Sequence, residues 1–387
     1  MIKDDFFTIL EEQLDKKFPF VAYRKPMEEG KREETKALLQ QDAITHRVKD
    51  FSESGFIFAP FEEQKKALII PSEASKEIST EYIFEEDHKN VKKEEPPFPP
   101  NQLRKLERVE HESLVQKAVD TIKKGKLLKV VISRTESVQT QLKVIEIFKN
   151  ILKRYNSAFV YLWFHPETGI WMGATPETLV SVERNRFKTM ALAGTQSFHQ
   201  SVDVEWEAKD KEEQQIVTDY IIDRLQKSDF ISAEKLRVSE AYTAKAGNLL
   251  HLRTDIEGNL KAGVSGLKEL IGILHPTPAV CGLPKDNARN FILENEGYDR
   301  KFYSGFLGEL NLKKETKRNS NRRNQENQAY ASISRSTSLF VNLRCMKIKE
   351  GMAELFIGGG VTKDSNPSLE WEETVNKAHT MKSILVK

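Results

Sequence analysis

Strand-like and helix-like segments follow one another in runs along this chain, not in strict alternation. That order constrains the fold more than any other feature. Residues 5–16 carry Phe6, Phe7, Ile9, Leu10 and Leu14 at helical spacing. Phe56–Pro60 and Ala67–Pro71 alternate like strands that stop at proline. His111 to Lys124 has a helical pattern, and strand-like runs follow at Leu127–Glu136, Ala158–Phe164 and Leu179–Val182. Helices are predicted over Asp210–Gln226 and Ala288–Glu294, strands over Leu339–Ile348 and Ala353–Ile357, and a last helix over Glu370–Leu385. This grouping favours an α+β architecture with antiparallel sheet over a doubly wound one. Glu85 to Gln102 is charged and contains Pro96-Pro-Phe-Pro-Pro, so it reads as an exposed connection. It separates an N-terminal part, residues 1–105, from a longer region, residues 106–387.

The bulk properties narrow the class. The 387 residues are 39% hydrophobic and 30% charged, which suits a globular protein with a sizeable core. A formal net charge of +2 gives no global attraction to nucleic acid or membrane. No run approaches the roughly 18 apolar residues of a membrane span. The start, Met1-Ile-Lys-Asp-Asp-Phe-Phe, lacks the basic and apolar regions of a secretory signal. Cys281 and Cys345 cannot make a disulfide framework, and no CxxC suggests zinc. A reduced, cytoplasmic protein with both cysteines buried is expected. Lys313 to Arg335 is basic and polar with Tyr330 as its one aromatic. It reads as a solvated hairpin insertion, and less well as a patch for an anionic partner.

Several segments could carry chemistry. In His275-Pro-Thr-Pro-Ala-Val-Cys-Gly282 two prolines stiffen the backbone, and Gly282 lets a backbone approach a ligand closely. Two predicted helices each bear acids at i,i+3: Asp210 with Glu213, and Glu370 with Glu373. Two such faces meeting would make an all-oxygen site suited to Mg²⁺, although among 58 acids most such pairs are solvated faces. Lys129 opens a strand, either as a snorkelling edge lysine or as a lysine drawn into a cleft to act as a base. Glu177 lies on a proline-fixed turn and is either an ordinary turn acid or a general acid. Leu192-Ala-Gly-Thr195 reads as a tight turn presenting one hydroxyl, that of Thr195. Arg344 lies in a predicted strand beside Val and Leu, where an Arg needs a carboxylate partner or ligand. Gly358-Gly-Gly360 follows a strand, and its N–H groups could hold a carboxylate. GxxxxGK[ST], dinucleotide GxGxxG, HExxH and GxSxG are all missing, which removes support for nucleotide, zincin and nucleophile-elbow readings.

In order along the chain, these pieces resemble the chorismate-binding enzymes, over roughly residues 110–387. That family includes isochorismate and salicylate synthases and the synthase components of anthranilate and aminodeoxychorismate formation. The resemblance implies a sandwich of two large antiparallel sheets with helices outside, which residues 1–105 would complete. It implies that Lys129 is the base that activates water and Glu177 the acid that protonates the departing hydroxyl. It makes Glu213 and Glu373 direct Mg²⁺ ligands, with Asp210 and Glu370 acting through water. Thr195, His275, Gly282, Tyr303, Arg344, Gly358, Gly360 and Lys377 would border or hold the substrate, chorismate. Gln214 stands where the family often has His. The HPTPA stretch and Leu249-Leu-His-Leu252 resemble the isochorismate branch, and Lys129 argues for water over ammonia as nucleophile. The implied protein is a monomeric isochorismate synthase serving menaquinone or siderophore synthesis. Salicylate synthase and a non-catalytic chorismate-site protein are the alternatives.

Overall fold

The computed structural model describes residues 3–26, 34–81, 101–198, 201–246, 249–261, 266–316 and 332–386. Within them two large antiparallel sheets face each other. The first runs in the order β15 (Gly282–Leu283), β7 (Lys129–Gln139), β19 (Met352–Val361), β18 (Cys345–Lys349), β9 (Gly169–Thr175), β8 (Phe159–His165), β1 (Phe20–Arg24), β2 (Thr35–Gln40) and β6 (Ser75–Thr80). The second runs β12 (Arg237–Val238), β14 (Leu249–Asn259), β11 (Arg186–Ser197), β10 (Thr178–Glu183), β17 (Ser332–Val341), β16 (Phe306–Thr316), β4 (Gly55–Ala59), β5 (Leu68–Pro71) and β3 (His46–Arg47). A further strand, β13 (Tyr242–Ala246), pairs with β14. Strands from before residue 105 enter both sheets, β1 beside β8 and β4 beside β16.

Aromatic side chains join the two sheets. Phe159 stacks on Phe340 at 4.1 Å between ring centres, and Phe58, Trp163 and Trp171 fill the same layer. Each such pair contributes about 0.5–1.5 kcal/mol beyond burial of its area. Helices cover the outer faces. α1 (Lys3–Asp15), α3 (Val144–Arg154) and α7 (Pro367–Lys382) pack on the first sheet, which buries Phe6, Leu10, Ile147, Phe148, Ile151 and Met381. α4 (Ala208–Gln226) and α5 (Leu267–Leu274) cover the second, through Val217, Ile221, Leu225, Leu270 and Leu274. α2 (Asn101–Lys123) and α6 (Lys285–Asn295) close over the β7 end. The N-terminus of α7 is set by Asn366, whose side chain accepts from the Ser368 and Leu369 N–H groups, with proline at the first helical position.

The predicted elements are found, with three corrections, one being that Gly358–Gly360 does not follow a strand but lies inside β19, paired with Val131–Ser133 of β7. Leu339–Ile348 is not one strand: β17 ends at Val341 in one sheet and β18 begins at Cys345 in the other. Between them the Asn342 N–H donates to Gly305 and the Asn342 side chain to Phe302, while Tyr161 Oη donates to Asn342 Oδ1 at 2.7 Å. These bonds replace the ladder, and Arg344 takes φ 46° as the chain crosses sheets. Leu192–Thr195 is likewise not a turn but part of β11, where register shifts between Ala193 and Gln196 and Gly194 takes φ 68°. This is a bulge, for which glycine carries no Cβ penalty. Most of the Glu85–Gln102 connection and residues 317–331 of the basic insertion lie outside the described residues. β16 and β17 pair out to Thr316 and Ser332. Both cysteines are free and buried, and burial pushes the Cys281 thiol up to about 12. Among the described residues no helix is long and apolar enough to cross a membrane.

Candidate active site

Two chain crossings between the sheets lie side by side, because β9 pairs with β18 and β10 with β17. Pro176-Glu177 links β9 to β10, and Asn342-Leu343-Arg344 links β17 to β18. Glu177 and Arg344 therefore come together at the seam of the sandwich. They border a cavity of about 180 Å³. Asp210, Glu213, Tyr303, Gly358, Gly360, Glu373 and Lys377 line the same cavity.

Glu177 is 3% exposed, and burial pushes its carboxyl up to about 7. Thr277, Lys129 and Arg344 oppose that rise without cancelling it. Thr277 Oγ1 donates to Glu177 Oε1 at 3.3 Å. The stiff loop at 275–282 thus serves the site through Thr277, Ala279 and Val280, the last two on the cavity wall. His275 is buried edge-on to Phe306 at 4.9 Å, away from that wall, and burial with nearby Lys285 pushes its imidazole down to about 3. Gly282 is also set back: it takes φ 134°, and a Cβ there would fall on the Lys129 carbonyl oxygen. Its role is to let β15 lie on β7. Gly282→Ala should therefore cost roughly 3 kcal/mol or more, since backbone meets backbone and neither side yields. A urea midpoint equal to wild type would refute this.

Lys129 is fully buried in β7, between β15 and β19, and is not an edge residue. Its Nζ lies 2.7 Å from Glu213 Oε1. Gly360 makes room for the pair, because a Cβ there would stand 2.8 Å from that oxygen and 3.3 Å from Lys129 Cε. Gly358 similarly leaves space for the Tyr303 hydroxyl. α4 brings Asp210 and Glu213, and α7 brings Glu370, Glu373 and Lys377. Lys377 Nζ lies 2.6 Å from Glu373 Oε1 and donates to the Gly358 carbonyl at 3.0 Å. Glu370 is 3% exposed; its Oε1 accepts from Lys209 at 3.1 Å, and the Ser365 side chain also lies against the carboxylate.

The four carboxylates feel one another. Burial, then Glu213, raises Asp210. Burial pushes Glu370 up, and Glu373 adds to the rise. Burial also works against ionised Glu213 and Glu373, but Lys129 and Lys377 respectively outweigh it and the net direction is down. This donor set is all oxygen and suits a hard divalent cation. With three of the acids turned to lysines, no three acidic, His or Cys side chains among the described residues converge on one point.

Two lining residues, His251 and Lys209, and one residue behind the wall, Thr277, escaped the sequence reading. His251 accepts from Arg344 Nη2 at 2.6 Å through Nε2. Its Nδ1 lies 2.8 Å from the Gly194 carbonyl. Since Arg only donates, the ring is the neutral Nδ1–H tautomer, and burial with Arg344 holds it down at about 3. Lys209 lines the cavity beside Asp210, and Thr277 seats Glu177. A sequence signal existed only for His251, in the Leu249–Leu252 motif. The side chain of Thr195 lies outside the described residues.

Comparison with known proteins shows the family. A family model described as chorismate binding enzyme matches residues 61–317, and a second of the same description matches residues 329–383. The isochorismate synthase MenF of Pasteurella multocida is 28% identical over 285 residues, 70% of this chain and 60% of that protein. The chain thus spans less than two thirds of that relative. Anthranilate synthase component 1 of Aquifex aeolicus is 25% identical over 362 residues, 90% of this chain and 66% of that protein. Among solved structures, a putative 2,3-dihydroxybenzoate-specific isochorismate synthase, DhbC, from Bacillus anthracis superposes with a TM-score of 0.72. It covers 97% of this chain and 99% of that one at 22% identity, a likeness of fold. With the family matched over most of its length and the sandwich that goes with it, this chain belongs to the chorismate-binding enzymes.

Proposed function

We propose that this protein is an isochorismate synthase that isomerises chorismate to isochorismate with Mg²⁺, for menaquinone or catechol-siderophore synthesis. One observation carries the reading: buried Glu177 lines the cavity with its carboxyl held near neutrality by burial, and buried Lys129 pairs with Glu213 on the wall of the same cavity. In this reading Lys129, as the neutral amine released from its ion pair with Glu213, takes a proton from the water that attacks C2, and Glu177 gives one to the hydroxyl that leaves C4. One hydroxyl enters, one departs as water, and the ring double bond shifts between them. Thr277 donates to Glu177 Oε1, so the acid's proton sits on Oε2. Arg344, oriented by His251, and the backbone at Gly358 and Gly360 hold the substrate carboxylates, which contributes rate through positioning. Lys377 and Tyr303 complete that wall.

Glu213 and Glu373 would hold Mg²⁺ directly, with Asp210 and Glu370 behind them through water. When bound, the ion supplies positive charge for the ring carboxylate as negative charge grows there. Residues 1–105 are part of the same unit in this reading, since their strands lie within both sheets.

The test is incubation of the purified protein with chorismate, with and without Mg²⁺ and ammonium, with products separated by chromatography. Isochorismate alone, dependent on Mg²⁺, is the expected result. Salicylate with pyruvate would replace the reading by salicylate synthase. An ammonium-dependent aminated product would refute the role of Lys129. No turnover would leave a chorismate-site binding protein.

A further inference from the structure

Four carboxylates face three lysines at the cavity, and the lysines differ in one respect that decides which can leave. Lys129 is 1% exposed along its side chain, held between strands, and paired with Glu213. Lys377 is 26% exposed and tied to both Glu373 and the Gly358 carbonyl. Lys209 is 42% exposed, sits in the first turn of α4, and bonds only to Glu370 across to α7. Glu370 itself is buried, and Lys209 is its one cationic partner, with the neutral Ser365 side chain also against the carboxylate. An ammonium on a flexible four-carbon stem stands where a cation's charge would serve, and of the three it is the most exposed and the least tied.

The geometry points to Lys209 as an internal competitor for the divalent cation: it neutralises Glu370 when the cation is absent and swings outward when the cation arrives. This rests on the reading of Asp210, Glu213, Glu370 and Glu373 as the cation site. Two effects act in one direction if Lys209 is removed. The competing positive charge beside the ion disappears, and the metal-free protein is left with a buried carboxylate lacking its partner. Cation binding then relieves a larger penalty than it does in the wild type. Lys209 is thus a positioning residue whose loss strengthens, rather than weakens, binding.

The experiment is calorimetric titration of Mg²⁺ into the metal-free full-length protein without substrate, with melting temperature followed in parallel. Lys209→Met and Lys209→Gln should each bind Mg²⁺ about tenfold more tightly than wild type. Both should melt lower than wild type without metal and show a larger Mg²⁺-induced rise. Lys209→Arg, which keeps the charge, should stay near wild type. Equal or weaker Mg²⁺ binding by both neutral variants, with wild type binding normally, would overturn the competitor role alone. Absence of Mg²⁺ binding in every protein, wild type included, would overturn the cation site and the competitor role with it. Neither result depends on turnover, so the outcome is separate from whether the product is isochorismate.

Discussion

A Lys129→Met enzyme should still bind chorismate but form isochorismate about a thousandfold more slowly. The size follows from the role: a positioned general base contributes roughly 10²–10⁴ in rate. Methionine keeps much of the buried stem, so packing of β7 against β15 and β19 is largely preserved while the proton acceptor is lost. Glu213 then loses the partner now 2.7 Å away. That charge is available to a bound cation, so Mg²⁺ dependence should persist. The informative readout is the split between kcat and KM. A base acts in the transition state, so kcat should fall with KM little changed. Isochorismate formation near the wild-type rate would exclude Lys129 as the base.

Glu177→Gln should lose activity by a similar factor and gain stability, two effects that point in opposite directions. Glutamine keeps the shape and can still accept from Thr277, but it has no proton to give to a departing hydroxyl. The stability sign follows from the carboxyl. Its pKa in the folded protein, about 7, lies above the ordinary 4.5, so the folded state binds a proton more tightly than the unfolded state does. Stability is therefore greatest below pH 4.5, falls as pH rises through the window to about 7, and stays low above it. At about 1.4 kcal/mol per pH unit, the variant should exceed wild type by roughly 3 kcal/mol at pH 8 and by under about 1 kcal/mol at pH 5. Urea unfolding at the two pH values measures this. A variant no more stable at pH 8 than wild type would mean that Glu177 is not ionised against its surroundings there. The same titration predicts that wild-type activity declines above about pH 7, as the acid loses its proton.

Much of this arrangement was legible in the chain, for identifiable reasons. Periodicity marked α4 and α7 because each presents an apolar stripe to a sheet, and spacing of three placed the acids of each pair on one helix face. The long strands β11 and β14 escaped notice, since polar and apolar residues mix where one face meets solvent. Arg344 was singled out for its charge among apolar neighbours but was assigned to a strand. The hydrogen bonds that break that strand come from residues 302–305, some forty positions away. The 275–282 loop drew attention through its prolines, yet its contributing side chain at Glu177 is Thr277, not His275.

By itself the sequence determined the α+β class and the two acidic helix faces, because those depend on local spacing, while the candidate acid and base came from the resemblance to the family. Only the tertiary structure decided which of these groups meet. It brought two sheet crossings side by side, so that Glu177 and Arg344 share one cavity. It buried Glu177 fully, which is what lifts its carboxyl, and it turned three lysines onto three of the carboxylates. Burial and ion pairing arise from contacts between residues as far apart as Lys129 and Gly360, or Lys209 and Glu370. Such contacts form when strands and helices pack, and no window along the chain contains them.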